Sequence, residues 1–188
     1  MYSTMKIYIK YDINVACRTI MQEQLTNLGI SYELQDLGEI VITKPVPESV
    51  FSELQENLKR YGIDVLNDQK SQLIQRIKNT IIEMVEQDKL PASKISYYLS
   101  EKLHMNYSYL SNLFSEYTSS SIENYIILQK IERTKKLLLQ ELSLTEISYM
   151  LNYSSVAHLS GQFKKTTGLS PSVFKKIIDG RKKQLATN

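Results

Sequence analysis

Tyr109-Leu110-Ser111-Asn112-Leu113-Phe114 is followed, about 49 positions later, by His158-Leu159-Ser160-Gly161-Gln162-Phe163. At the same offset Thr118, Ser121 and Tyr125 are matched by Thr167, Ser170 and Phe174. Self-similarity at a fixed spacing signals two copies of one supersecondary unit. Ahead of each copy lies a shorter apolar pattern, Ile95 with Leu99 and Ile147 with Leu151, and then a turn-like stretch. That stretch is His104-Met105-Asn106 in the first copy and Asn152-Tyr153-Ser154 in the second. Helix, tight turn and helix predict a helix-turn-helix, an arrangement whose second helix can enter a DNA major groove.

Around this repeat the C-terminal part reads as wholly helical. Ser71 to Gln87 is amphipathic through Leu73, Ile74, Ile77, Ile81, Met84 and Val85, and Pro91 separates it from a second helix over residues 92–103. Asn106 is a natural N-cap for a third helix running to Glu116. Ile122 to Glu141 predicts a long connecting helix of roughly 30 Å, close to the roughly 34 Å between successive major-groove faces on one side of B-DNA. Leu144 to Leu151 and Ser155 to Thr166 form the second helix-turn-helix, and Ser170-Pro171 starts a closing helix with an N-cap and a proline in the first turn.

The N-terminal part alternates in type. Lys6-Ile7-Tyr8-Ile9-Lys10 has strand periodicity, and Val15 to Leu28 has helical spacing with Ile20, Met21, Leu25 and Leu28 on the buried side, ended by Gly29. Ser31 to Leu37 and Glu39 to Thr43 read as a hairpin around Gly38. A second helix follows Pro47 and runs through Tyr61, with Val50, Phe51, Leu54 and Leu58 sharing a face, and Ile63-Asp64-Val65-Leu66 closes as a short strand. The order βαββαβ predicts a ferredoxin-like domain over residues 1–68. The fold class is therefore α+β: that domain first, an all-α double helix-turn-helix domain over residues 69–180, and a basic tail over 181–188.

Charge divides the chain in the same place. Residues 1–68 hold 6 Lys/Arg against 10 Asp/Glu, net −4, while residues 69–188 hold 17 against 10, net +7, which together give the formal +3. A basic module beside an acidic one fits a polyanion-binding unit with a separate regulatory or assembly unit. The chain has 188 residues and is 42% hydrophobic, enough for two small globular domains of an ordinary soluble protein. No stretch approaches the roughly 18 uninterrupted apolar residues of a membrane helix, and the first ten residues alternate where a signal peptide would be continuously apolar. A cytoplasmic location is expected. Cys17 is the only cysteine and His104 and His158 the only histidines, too little for an intrachain disulfide, a zinc site or a nucleophile–histidine pair. No catalytic residue and no cofactor is expected, and the chain reads as a non-enzyme.

Ile147 through Phe174 contains Tyr153-Ser154-Ser155-Val156-Ala157-His158-Leu159-Ser160-Gly161-Gln162-Phe163-Lys164-Lys165 and then Thr167-Gly168-Leu169-Ser170-Pro171-Ser172. It resembles the signature of the AraC/XylS family of bacterial transcription regulators. The resemblance covers residues 71–178 and implies a seven-helix DNA-binding domain in which a long helix joins two helix-turn-helix subdomains. Asn152 departs from it, standing where the family usually has Gly in the turn; Asn is one of the few other residues that tolerates left-handed backbone angles. The N-terminal part more weakly resembles heavy-metal-associated domains, which hold a metal with C-x-x-C between the first strand and helix. The corresponding loop here reads Asn14-Val15-Ala16-Cys17. Asn14 and Cys17 are weak metal candidates, because one thiolate with an amide is a poor soft-metal site, so a degenerate domain used for assembly or another ligand is expected.

On the third helix Leu110, Leu113 and Phe114 read as core, leaving Ser108, Ser111 and Asn112 at positions that the resemblance places against base edges. Asn112 can bond adenine N6 and N7 at once. On the sixth helix the matching set is Val156, Ala157, Ser160 and Gly161: the first two can touch thymine methyls, Ser160 can bond a base edge or a phosphate, and Gly161 offers no side chain. Gly within a helix costs about 1 kcal/mol relative to Ala, so this helix is expected to position more than it specifies. His158 has two readings, a phosphate contact or a residue half packed on the turn. Lys164 and Lys165 are expected on phosphates, with some of Lys135, Lys136, Lys175 and Lys176 joining them and others solvated. Phe163 and Phe174 read as structural, and Tyr97, Tyr98 and Tyr149 as packing.

Together these features predict a sequence-specific duplex-DNA-binding transcription regulator, with double-stranded DNA and RNA polymerase as partners and no membrane. The N-terminal domain is left for a homodimer contact or an effector. The alternative is a metal or small-ligand sensor in that domain controlling the DNA-binding output.

Overall fold

A computed structural model of the chain describes residues 11–35, 39–88, 90–91 and 93–186, together with residues 7 and 9. The chain divides into two compact units, Met1–Gln69 and Lys70–Asn188.

The first unit contains α1 (Ile13–Asn27), β1 (Tyr32–Leu34), β2 (Ile40–Ile42) and α2 (Glu48–Lys59). Asp12 caps α1, its carboxylate accepting from the N–H groups of Asn14 at 2.9 Å and Val15 at 3.3 Å. Those donors have no partner within the helix, so the cap starts α1 two residues before the predicted Val15. The strands pair antiparallel with Tyr32 opposite Ile42 and Leu34 opposite Ile40, as a hairpin requires. The predicted turn at Gly38 lies outside the described residues. Leu25, Ile30, Leu54 and Leu58 are buried, with Ile20, Met21, Leu28, Val50 and Phe51 packed around them. The two predicted helix faces therefore meet in one small core.

The ferredoxin-like βαββαβ expectation is corrected here. Among the described residues the sheet has two strands, not four. The predicted strand over residues 6–10 falls mostly outside those described, and Ile7 and Ile9 within it are 70% and 77% exposed. Residues 63–66 keep their alternation, Ile63 and Val65 half-buried and Asp64 and Leu66 exposed, but are not part of the two-stranded sheet. Alternation records a half-buried extended segment, whereas a strand also needs a neighbour's backbone groups in register.

Among the described residues the second unit holds seven helices: α3 (Gln69–Glu86), α4 (Ile95–Leu103), α5 (Tyr107–Thr118), α6 (Ile122–Leu139), α7 (Leu144–Met150), α8 (Val156–Thr167) and α9 (Pro171–Ala186). All six apolar residues predicted to line α3 are buried, and they join Leu99, Leu110, Leu113, Phe114, Ile147, Leu159 and Phe163 in one core. α4 starts three residues later than expected, because Lys94 before it is extended, at φ −58° and ψ 137°. The repeat is visible as packing. Phe114 and Tyr125 have ring centroids 5.5 Å apart, and their counterparts Phe163 and Phe174 lie 5.6 Å apart. Offset, tilted pairs of this kind are a favourable aromatic arrangement, so the motif is repeated because the same joint between helices is built twice. Tyr98 packs on the core as expected, but Tyr97 and Tyr149 are 61% and 65% exposed. Each stands two positions from a buried Leu99 or Ile147, which in a helix of 3.6 residues per turn is nearly the opposite face. No helix among the described residues is long and apolar enough to cross a membrane.

Candidate nucleic-acid interface

Both helix-turn-helix units are built by the same local devices. Each turn carries one residue in the left-handed region, His104 at φ 54° and Asn152 at φ 49°. Each second helix is capped by a side chain: Asn106 Oδ1 accepts from Ser108 N–H at 2.8 Å, and Ser155 Oγ accepts from His158 N–H at 3.0 Å. α7 adds a capping box in which Ser143 and Glu146 bond reciprocally. α6, between the two units, has 18 residues and so spans about 27 Å.

The two second helices expose the same positions at the repeat offset. On α5 these are Ser108, Tyr109, Asn112, Ser115, Glu116 and Tyr117; on α8 they are Ala157, His158, Gly161, Lys164, Lys165 and Thr166. The opposite face of each is in the core, through Leu110, Leu113 and Phe114 on α5 and Leu159 and Phe163 on α8. Of the expected base-edge residues, Ser108, Asn112, Ala157 and Gly161 are exposed, while Ser111, Val156 and Ser160 are half-buried along the margin. A side chain built on Gly161 would meet nothing within 4 Å.

Five exposed residues escape a motif-by-motif reading: Tyr109, Ser115, Glu116, Tyr117 and Thr166. The signal for the first three was present, since subtracting the repeat offset from His158, Lys164 and Lys165 lands on them. His158 is held rather than free: its Nδ1 lies 3.0 Å from Ser154 Oγ, and its ring meets that of Tyr153 edge-on at 5.3 Å. Burial pushes the Tyr153 hydroxyl up to about 12, so it stays protonated at neutral pH.

Charge separates the helices further. Lys164 and Lys165 are exposed at the C-terminal end of α8 and make no ion pair among the described residues. By contrast, Lys135 is paired with Glu132 at 2.6 Å and Lys136 with Glu86 at 2.7 Å, which removes both from the pool of free cations. At the place of Lys165, α5 carries an acidic Glu116.

Asn14 and Cys17 are not on a loop. They lie in the first two turns of α1, with Cys17 half-buried. No group of three or more His, Cys, Asp or Glu residues that could hold a metal occurs among the described residues.

Residues 99–177 match a protein family described as a helix-turn-helix domain. Over 81 residues the chain is 37% identical to the Msm operon regulatory protein of Streptococcus mutans, covering 43% of this chain and 29% of that protein. Over 71 residues it is 38% identical to an uncharacterised helix-turn-helix-type transcriptional regulator of Pseudoalteromonas carrageenovora, covering 38% of this chain and 42% of that protein. Among solved structures, the C-terminal domain of AraT, a response regulator from Geobacillus stearothermophilus, aligns at 24% identity and a TM-score of 0.49, covering 58% of this chain and 88% of that one. The chain spans less than half the length of these curated relatives. Residues 99–177 are a helix-turn-helix domain.

Proposed function

We propose that the chain is a transcription regulator that binds duplex DNA in a sequence-specific way, with α5 and α8 entering the major groove. One observation carries this reading: two helices built on the same plan, each with an apolar face in the core, present the same six positions outward. The similarity to regulators in Streptococcus and Pseudoalteromonas supports it. Ser108, Ser111, Asn112, Val156, Ala157, Ser160 and Gly161 meet base edges, and His158, Lys164 and Lys165 meet phosphates. The action is binding, not catalysis. Residues 69–180 form the DNA-binding domain, with a basic tail over 181–188. Residues 1–68 serve a homodimer contact or an effector, and RNA polymerase is the downstream partner, in the cytoplasm.

Selection of bound sequences from a random duplex pool tests the reading. Recovery of a common motif with two contacted segments is expected, and a pool that never converges overturns sequence-specific binding.

A further inference from the structure

The turn of the second helix-turn-helix is tied to distant parts of its own unit by bonds that use no groove-facing residue. Leu90, between α3 and α4, donates its N–H to the Met150 carbonyl at 3.1 Å. Asn152 answers in the other direction, its Nδ2 donating to the carbonyls of Leu90 at 3.3 Å and Pro91 at 3.2 Å. From α6, Lys130 Nζ donates to the Leu151 carbonyl at 2.7 Å and stands 5.0 Å from the centre of the Tyr153 ring. Glu86, at the end of α3, pairs with Arg133 and Lys136 of the same α6. Three consecutive residues where α7 runs into the second turn, Met150, Leu151 and Asn152, are thereby fixed to the α3–α4 connection and to the connecting helix.

These hydrogen bonds act alongside packing, since Leu90 and Leu151 are both buried in the core. An open hollow of about 310 Å³ lies beside the joint, lined in part by Met84, Pro91, Lys94, Ile95, Lys130 and Asn152. Lys130 is largely withdrawn from water, which lowers its pKa and is tolerable because a charge-assisted bond and an aromatic face receive the ammonium. Asn152 is more telling. A left-handed turn residue is best served by Gly, which adopts positive φ without strain. Asn adds what Gly lacks, a side-chain N–H donor, and both bonds of that side chain run to carbonyls more than sixty residues away in sequence.

We propose that Asn152 and Lys130 are positioning residues that lock the second helix-turn-helix at one angle to the first, so that α5 and α8 meet DNA at a single spacing. The functional consequence rests on the DNA-binding reading; the locking itself does not.

The test uses the full chain with Asn152→Gly, which keeps the turn and removes the donor. A second variant, Asn152→Asp, keeps size and left-handed tolerance but offers only acceptors to the two carbonyls. Residual dipolar couplings measured without DNA should fit α4–α5 and α7–α8 to one alignment tensor in the parent chain and to two in both variants. On the selected duplex, inserting two base pairs between the contacted segments should weaken the parent about tenfold or more, the cost of losing one helix's base contacts. Both variants should show a several-fold smaller penalty. Folded variants that keep the parent's single tensor and spacing penalty overturn the proposal, as does a parent chain that already needs two tensors. An effect of Asn152→Gly not shared by Asn152→Asp assigns the change to backbone freedom and also overturns it. A parent chain that binds no duplex defeats the DNA-binding reading, and the dipolar couplings then decide the locking by themselves.

Discussion

The Tyr107 hydroxyl donates a hydrogen bond to the Glu123 carboxylate at 2.5 Å, joining the first residue of α5 to the first turn of α6. The second helix of the first helix-turn-helix is in this way fixed at its N-terminal end to the connecting helix. Burial, and next the bond to Glu123, push the Tyr107 hydroxyl well above its ordinary value, while the Tyr107 bond is the main cause holding Glu123 below its own.

A pH dependence follows from that pair. A carboxyl whose folded pKa is depressed contributes stability that is present above its unfolded value and lost as pH falls through the folded one. Glu123 should thus stabilise the fold at neutral pH and cease to do so in acid, below the ordinary glutamate value of 4.5. Tyr107→Phe should lower the urea midpoint at neutral pH, and the gap from the parent chain should close as the solution is acidified. A gap independent of pH would assign the loss to packing instead.

Lys165 lies exposed at the end of α8 without an ion pair among the described residues. Each phosphate it neutralises releases condensed counterions, so Lys165→Ala should weaken binding to all duplexes alike and reduce the log–log salt slope by about one. Titrations at several salt concentrations read this directly; an unchanged slope places Lys165 in solvent.

The exposure of Asn112 and the half-burial of Ser160 predict unequal roles. Asn112→Ala should cost about 1–3 kcal/mol on the preferred site and relax preference at one or two base pairs, whereas Ser160→Ala should cost less and act evenly. A panel of single-base-pair changes measured with both variants separates them. Loss of discrimination in Ser160→Ala alone would reverse the assignment of the reading helix.

Cys17 sits in α1 with Asn14 as its neighbour one turn away, a donor set poorly suited to a soft metal. Cys17→Ser should leave folding and DNA affinity unchanged. Isothermal titration with Zn(II) or Cu(I) checks it, and sub-micromolar binding that vanishes in the variant would make residues 1–68 a metal sensor.

The second unit was legible in sequence because its signals are local and repeated. The spacing of Leu110, Leu113 and Phe114, and of Leu159 and Phe163, fixes a buried face within one helix, and Asn106 and Ser155 announce its start. The candidate interface was partly legible for the same reason, since any outward-facing position on α8 names one on α5. What stayed hidden is contact at long sequence separation. Lys136 looks like a free cation until Glu86 is found beside it, and Asn152 looks like a turn residue until its bonds to Leu90 and Pro91 are seen. In the first unit the alternation of residues 63–66 showed which side faces the core but not whether a neighbouring strand is there to pair with. Asp12 was the overlooked cue that draws Asn14 into α1.

Gly161 has open space where its side chain would be and sits in the middle of an outward-facing row. Because a Cβ there meets nothing within 4 Å, and because leaving glycine for alanine improves helix propensity by about 1 kcal/mol, a first side-chain atom can be added without a compensating change elsewhere. If α5 and α8 read bases as proposed, the second helix is the cheaper route by which the choice of binding site can drift: one substitution can add a side chain to the bare place on α8, while the matching place on α5 is already filled by Asn112.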